Sequence, residues 1–549
     1  MTRSDEGLAA RRRLRTGLAA SFLALLAFSV WSRWPLVVEG MWRDEAAAVY
    51  VARSPSVSEF LQRQKAIEYH PPLFNAILAL YGGVFGFGEE GLKYFAFGLG
   101  LLAIGGIAAL AGELFGESAA LLASVVAVNN PILVNLSAEL RPYSLSIALA
   151  TLCLLVVNRI RRAAANHLCH RWLGAALAVS LTLLASSHIA GALVVFAIGS
   201  IGLLSVSRRS SRTFGKTLLG AVMPAAILFS LWLPVTWSQF RAGLPYEMRL
   251  SLAARWDFLM ARVLQVPPAF GGGLAFLAMA GIALGAVLAK DDLKKRLRLG
   301  AFGFLLPVFV ATSVILSLGL FSRTNRYLAI PAGLFAVTVG GLLDAVHRSA
   351  RTSRGYVGVL CGISILVLLA GSFVGQAAFY RELQRSARKG VPKSGIRSMC
   401  HQRLLVEKEL VIAAPDYLAT TLWYYCGPKF TIRGIALWQD ALLLDWREYG
   451  RIWASPEAVP RAVDRLERLI VSQGLAARFL LVSDSSPARG TTLRFPARIK
   501  ALRNVLASRY HSIGEVRYGG RIEKVEVTEF VLKEAREPPL SRDVTATPR

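Results

Sequence analysis

The sequence predicts a polytopic α-helical membrane protein of about eleven spans, followed by a small α/β unit. Three observations carry that expectation. Hydrophobic residues make up 54% of the 549 positions while charged residues reach 18%. The mean hydropathy is +0.47. The apolar residues are also gathered into blocks: Tyr94 to Gly112 and Ser118 to Leu136 carry no charge at all. Each block approaches the roughly 20 residues needed to cross about 30 Å of hydrocarbon. A lipid core offers the backbone no water, so such stretches must close their hydrogen bonds internally as helices.

Taken in order, residues 1–16 form a basic start with Arg11, Arg12, Arg13 and Arg15. That start has the charge of a signal-peptide n-region. The apolar stretch after it is long, ends in Trp31, Arg33 and Trp34, and shows no small-residue cleavage site, so a retained anchor is expected. Spans are expected at 17–38, 94–112, 118–136, 143–158, 172–187, 189–206, 217–237, 268–289, 299–322, 327–346 and 355–379. Pro71 to Phe87 is apolar too, but counting it as a span would move every later basic loop to the other side. It is expected to lie at the membrane surface or dip into it, opened by Pro71-Pro72.

With the N-terminus inside, the cytoplasmic loops are 113–117, 159–171, 207–216, 290–298 and 347–354, and all but the shortest carry a basic cluster. That is the pattern of retained positive charge. Loop 238–267 and the segment after the last span are basic as well, against this trend, although long translocated stretches are little affected by charge. The outer face then holds the first loop 39–93, the turns 137–142 and 322–326, loop 238–267, and a domain at 380–534 with a disordered tail at 535–549. In that domain Leu410 to Ala414 and Phe479 to Ser483 read as buried strands. Val459 to Gln473 reads as an amphipathic helix and Arg521 to Leu532 as an alternating strand. The expected location is a cell inner (plasma) membrane.

The net charge of +28 raises nucleic-acid binding. The basic residues fall in short loops between apolar spans, where anionic headgroups account for them, and no basic helix is interleaved with stacking aromatics. No nucleic-acid partner is expected; membrane lipids are. Of the five cysteines, Cys400 and Cys426 both lie in the C-terminal part, where a disulfide and two free thiols both stay open.

Four polar clusters emerge on the outer face. Asp44 and Glu45 follow the first span, and crowding of two carboxylates at a bilayer interface is expected to raise a pKa toward that of a useful base. His70 precedes the proline-opened stretch. Glu139, Arg141 and Tyr143 occupy one turn, and Arg326 and Tyr327 another. Each alone has a plain reading as a solvated helix start or an interfacial side chain meeting headgroups. Their shared face is what favours chemistry: a carboxylate base, cations that fit phosphate, and an apolar groove beside them.

The order Asp44-Glu45-Ala46, His70-Pro71-Pro72-Leu73, Phe85-Gly86-Phe87-Gly88-Glu89, Glu139-Leu140-Arg141-Pro142-Tyr143 and Arg326-Tyr327-Leu328 resembles the GT-C superfamily of membrane glycosyltransferases. The resemblance is to the branch of protein O-mannosyltransferases and lipid A aminoarabinose transferases, and it covers roughly residues 15–350. It implies a GT-C-like transmembrane domain over 17–379 and a polyprenyl-phosphate sugar donor, with Asp44 as catalytic base. Glu45 and His70 would shape the site, Arg141 and Arg326 would face the donor phosphate, and Glu139, Tyr143 and Tyr327 would complete the substrate-binding set. A divalent cation (Mg or Mn) held by Asp44 or Glu45 fits such chemistry without being required. The acceptor stays open among lipid, cell-envelope glycan and protein. A membrane transporter or flippase is the alternative from another class, though its ionisable groups would be expected nearer mid-membrane. Within the enzyme class, a ligase or polymerase with a diphosphate-linked donor is the rival.

Overall fold

The computed structural model describes residues 3–68, 70–166, 171–243, 326, 329–352, 391–402, 410–427, 430–435, 457–472, 478–484 and 495–533, with isolated residues at 377, 381, 383–385, 442 and 455. The spans expected at 268–289 and 299–322 lie outside the described residues, as do 355–379 apart from Ala377, Tyr327, and the tail 535–549. The chain divides into two compact units, 1–391 and 392–549.

The first unit is helical. It opens with α1 (Arg3–Val38), α2 (Arg43–Ala52), α3 (Val57–Ile67), α4 (Leu73–Phe85), α5 (Glu89–Phe115) and α6 (Glu117–Asn129). There follow α7 (Pro131–Leu136), α8 (Tyr143–Ala165), α9 (Arg171–Ser187), α10 (Ile189–Val206), α11 (Arg212–Gly243) and α12 (Ala329–Thr352). Among the described residues, five stretches are long and apolar enough to cross a membrane: Ala20–Val38, Glu89–Phe115, Tyr143–Ala165, Ile189–Val206 and Arg212–Ser238. The protein is thus a multi-pass membrane protein. On α11, Met223, Ile227, Leu231 and Trp237 stand exposed, as an apolar surface facing lipid would.

Residues 118–136, expected as one span, are two helices. Pro131 supplies no N–H and sits at the first position of α7, while the Asn130 side chain accepts from the N–H groups of Ile132 and Leu133 at 3.0 and 3.2 Å. The break matters because it turns the chain toward 137–142. Residues 71–87 do hold a helix, α4, with Pro72 at its N-cap and Phe74, Asn75 and Leu78 buried.

Helices α5 and α8 pack side by side and run the same way. Near their starts Lys93 reaches Ala138 O at 3.2 Å, and at their far ends Arg162 pairs with Glu113 at 2.8 Å. Gly100 lets the turn after α7 lie against α5, since a Cβ there would meet the Ser137 Cβ at 2.5 Å. Gly40, at φ +84°, turns the chain from α1 into α2, a backbone state that side chains with a Cβ rarely adopt. One end of the bundle therefore gathers the start of α2, the start of α5, and the turn before α8.

The second unit holds α13 (Gly395–Gln402), α14 (Ala419–Cys426), α15 (Ala458–Ser472) and α16 (Phe495–Arg509). Its strands are β1 (Leu410–Ala414), β2 (Thr431–Gly434), β3 (Arg478–Asp484), β4 (Tyr510–Tyr518) and β5 (Val525–Leu532), in the order β2-β1-β3-β5-β4. β1 pairs in parallel with β2 and β3, while β5 runs antiparallel to β3 and β4. Every residue of β1 is buried, which explains why it reads as a continuous apolar run rather than an alternating one. Cys400 and Cys426 are joined in a disulfide that ties α13 to the end of α14.

Candidate active site

The first turn of α2 carries both carboxylates of the pair, and the fold gives them different surroundings. Glu45 points inward and is fully buried. Its Oε1 accepts from Lys93 Nζ at 2.6 Å and from the Leu140 N–H at 2.9 Å, and its Oε2 accepts from the Trp42 N–H at 3.3 Å. Asp44, one residue earlier and so rotated by about 100° on the helix, keeps its side chain a quarter exposed. There it pairs with Arg326 Nη1 at 2.5 Å and Arg43 Nε at 3.3 Å.

Electrostatics around Asp44 overturn the expectation of a raised pKa. Burial does oppose ionisation, but Arg326 first, then Arg43 and Arg141, outweigh it and hold the carboxyl down at about 2. Repulsion from Glu45 does not decide the matter, because Lys93 answers that charge directly. Asp44 is therefore ionised throughout the physiological range.

Arg141 lies on the turn between α7 and α8, where its guanidinium forms a bidentate pair with Glu68, the second bond measuring 3.0 Å. Its Nη1 also donates to the backbone O of Asp44 at 3.3 Å. Both partners are buried. The Nε–H of Arg141 is buried and meets no acceptor among the described residues. Arg326 approaches from just before α12: beyond Asp44 it comes within 3.9 Å of Glu139 Oε2, and its guanidinium lies 4.2 Å over the Trp42 ring. Glu139 Oε1 also accepts from Asn135 Nδ2 at 3.4 Å.

His70 is buried, with its ring stacked on His188 at 4.2 Å and edge-on to Tyr143 at 6.3 Å. Burial, followed by the nearby His188 and Arg141, pushes its pKa well below the usual imidazole value. His188 caps α10 by accepting the Ala190 N–H on Nδ1 at 3.0 Å. A neutral His188 consequently carries its proton on Nε2.

That neutrality of His70 has a measurable consequence. Its folded pKa is depressed, so below about pH 6.5 the unfolded chain binds a proton that the folded one refuses. Its stabilising share is present above that pH and fades as pH falls. Thermal unfolding in detergent should give a lower midpoint at pH 5.5 than at pH 7.5, and His70→Asn should flatten the difference. An equal slope in the variant would place the pH sensitivity elsewhere.

Asp44, Glu139, Arg141, Arg326, His70 and Tyr143 thus come together at one end of the helical unit. Tyr327 lies outside the described residues. Glu45 is brought to the same place but is turned into the packing and committed to Lys93, Leu140 and Trp42. The sequence reading missed Lys93, Glu68 and His188. Neither Lys93 nor Glu68 belongs to the four clusters that the sequence singles out. A histidine at the junction of two apolar stretches, on the face already holding the other clusters, was the signal for His188.

Asp44 and Glu45, as they are paired here, do not fit a divalent cation. Glu45 spends its oxygens on an ammonium and two amides, and Asp44 faces arginines that would repel a dication. Among the described residues, no group of three or more His, Cys, Asp or Glu side chains is gathered to hold a metal.

Known proteins share part of this sequence and, over most of the chain, this fold. Residues 69–236 match the family model described as dolichyl-phosphate-mannose-protein mannosyltransferase. The fold resembles crystal structures of ArnT from Cupriavidus metallidurans. In the apo state the TM-score is 0.52 at 17% identity, covering 94% of this chain and 98% of that one. Bound to undecaprenyl phosphate the values are 0.52 and 16%, covering 92% and 97%. No curated protein sequence gives a significant match. The resemblance to the GT-C superfamily is borne out in fold over most of the chain, and in sequence over the part that carries Glu139, Arg141 and Tyr143.

Proposed function

We propose that the protein transfers a sugar from a polyprenyl-phosphate donor to a hydroxyl on an extracytoplasmic acceptor, whether lipid, cell-envelope glycan or protein. The observation that carries this reading is the ionised, partly exposed Asp44 set among Arg326, Arg43 and Arg141. The acceptor oxygen attacks the anomeric carbon as its proton passes to Asp44. The bond from that carbon to the phosphate oxygen breaks, and polyprenyl phosphate departs with one more negative charge than it had in the donor. Arg141, Arg326 and the neutral His70 stabilise that charge in this reading. A single displacement inverts the anomeric centre. In this reading the N-terminus faces the cytoplasm, while the site and the C-terminal domain lie outside; the Cys400–Cys426 disulfide suits an oxidising compartment. The similar Cupriavidus protein was crystallised with undecaprenyl phosphate, which supports the donor class.

The deciding experiment offers the purified protein a panel of undecaprenyl-phosphate sugars and follows undecaprenyl phosphate release by mass spectrometry. Release with one sugar, dependent on an added acceptor extract, is the expected result. Flux of a lipid-linked substrate across liposomes, with no glycosidic bond broken, would replace the enzyme reading with a transporter.

A further inference from the structure

Lys93, like Arg33, is a fully enclosed cation. It is the fifth residue of α5, with no exposed surface, bonded at once to Glu45 Oε1 at 2.6 Å and Ala138 O at 3.2 Å. The first contact belongs to the turn of α2 that presents Asp44. The second belongs to the turn that presents Glu139 and Arg141. Glu45 closes the arrangement by accepting the Leu140 N–H, from the residue between those two. Desolvating an ammonium and a carboxylate together is expensive, and an apolar pair would fill the same space. The pair instead links three segments, each of which bears or adjoins a residue of the site.

We infer that Lys93 is a positioning residue, holding the first turn of α2 and the 137–142 turn at the spacing that sets Asp44 against Arg141. The inference rests on the glycosyltransferase reading for what the spacing serves, but its geometry can be tested without it. The 137–142 turn has other ties: Arg33 Nε donates to Ser137 Oγ at 3.0 Å, and Ser144 Oγ donates to Leu136 O at 3.1 Å. Loss of Lys93 therefore loosens Leu140 and Arg141 without releasing the whole turn.

The test uses the full-length protein with Glu45→Gln and Lys93→Met combined, which removes the pair without leaving a lone buried charge. Two readouts are taken: hydrogen exchange over the peptide containing Leu140, and transfer from the undecaprenyl-phosphate sugar that the wild type accepts. Exchange at 137–142 should speed by at least about tenfold while the middle of α5 stays protected. Turnover should fall by up to about 100-fold with donor KM little changed, as a small misplacement of reacting groups predicts. Wild-type exchange at Leu140, or full turnover in a folded double variant, overturns the inference. A wild type that takes no polyprenyl-phosphate sugar sinks the donor reading instead, and the exchange result still decides the positioning role. Lys93→Gln covers a double variant that does not fold. Gln is shorter than Lys and carries no charge to answer Glu45, so exchange at Leu140 should rise partway, and an unchanged rate overturns the inference.

Discussion

Asp44→Asn is expected to lose transfer by about 10²- to 10⁴-fold, the range removed with a positioned base, while still binding undecaprenyl phosphate. The amide is close in shape to the carboxylate and can still accept from Arg326, but it does not take the acceptor proton. Stability should change little, because the Asp44–Arg326 pair is partly exposed, at 25% and 22%, and such pairs are worth on the order of 1 kcal/mol or less. The measurement is a single-turnover assay beside a lipid-binding assay on the same preparation. Turnover near that of the wild type would remove Asp44 from the mechanism. A carboxyl held at about 2 is a weak base while Arg326 is on it, so in the proposed reaction proton transfer would gain if the donor phosphate drew Arg326 away.

Glu68→Gln is expected to cost more in stability than any change at Asp44. Glu68 and Arg141 are both buried and joined by two bonds, and removing one charge of such a pair leaves the other desolvated and unmatched, at about 3–5 kcal/mol. Arg141→Lys separates the two roles of the arginine. An ammonium can still answer Glu68, so much of the fold energy returns, but a point charge cannot span Glu68, the Asp44 carbonyl and a phosphate together. Its expected signature is a stable protein with depressed turnover and a raised donor KM. Thermal unfolding of both variants, read against their kinetics, checks the pair. Equal stability losses would mean that the fork geometry, not the charge, holds the turn.

How much of this was legible in the sequence follows from what each signal depends on. Helices such as α5, α8 and α10 announce themselves through length and apolar continuity, which are local properties. The break at Asn130–Pro131 was also written locally, as a cap residue followed by a proline, yet it was hidden inside an apolar run that hydropathy reads as continuous. The gathering of Asp44, Glu139, Arg141 and Arg326 could be expected from topology alone, since all four sit at ends of spans on the same face. Their division of labour could not. Whether Glu45 or Asp44 faces the site depends on which way one turn of α2 is rotated, and the inward Glu45 meets Lys93, 48 residues on, and the Leu140 N–H. Likewise the pKa of Asp44 is set by Arg326, brought from 282 residues away. Charges that distant leave no pattern in a local window.

The buried arginine of the first helix carries a consequence for how the chain can be re-engineered. Arg33 donates to the Val128 carbonyl at 3.2 Å and to Ser137 at 3.0 Å, on either side of the interruption at Pro131. A broken helix leaves carbonyls with no successor amide, and here a neighbouring helix supplies the missing hydrogens. Residues 17–38 are thus a fitted strut rather than a generic tether. A chimera carrying an unrelated hydrophobic leader would keep its address in the bilayer and lose the brace beneath the Arg141 corner.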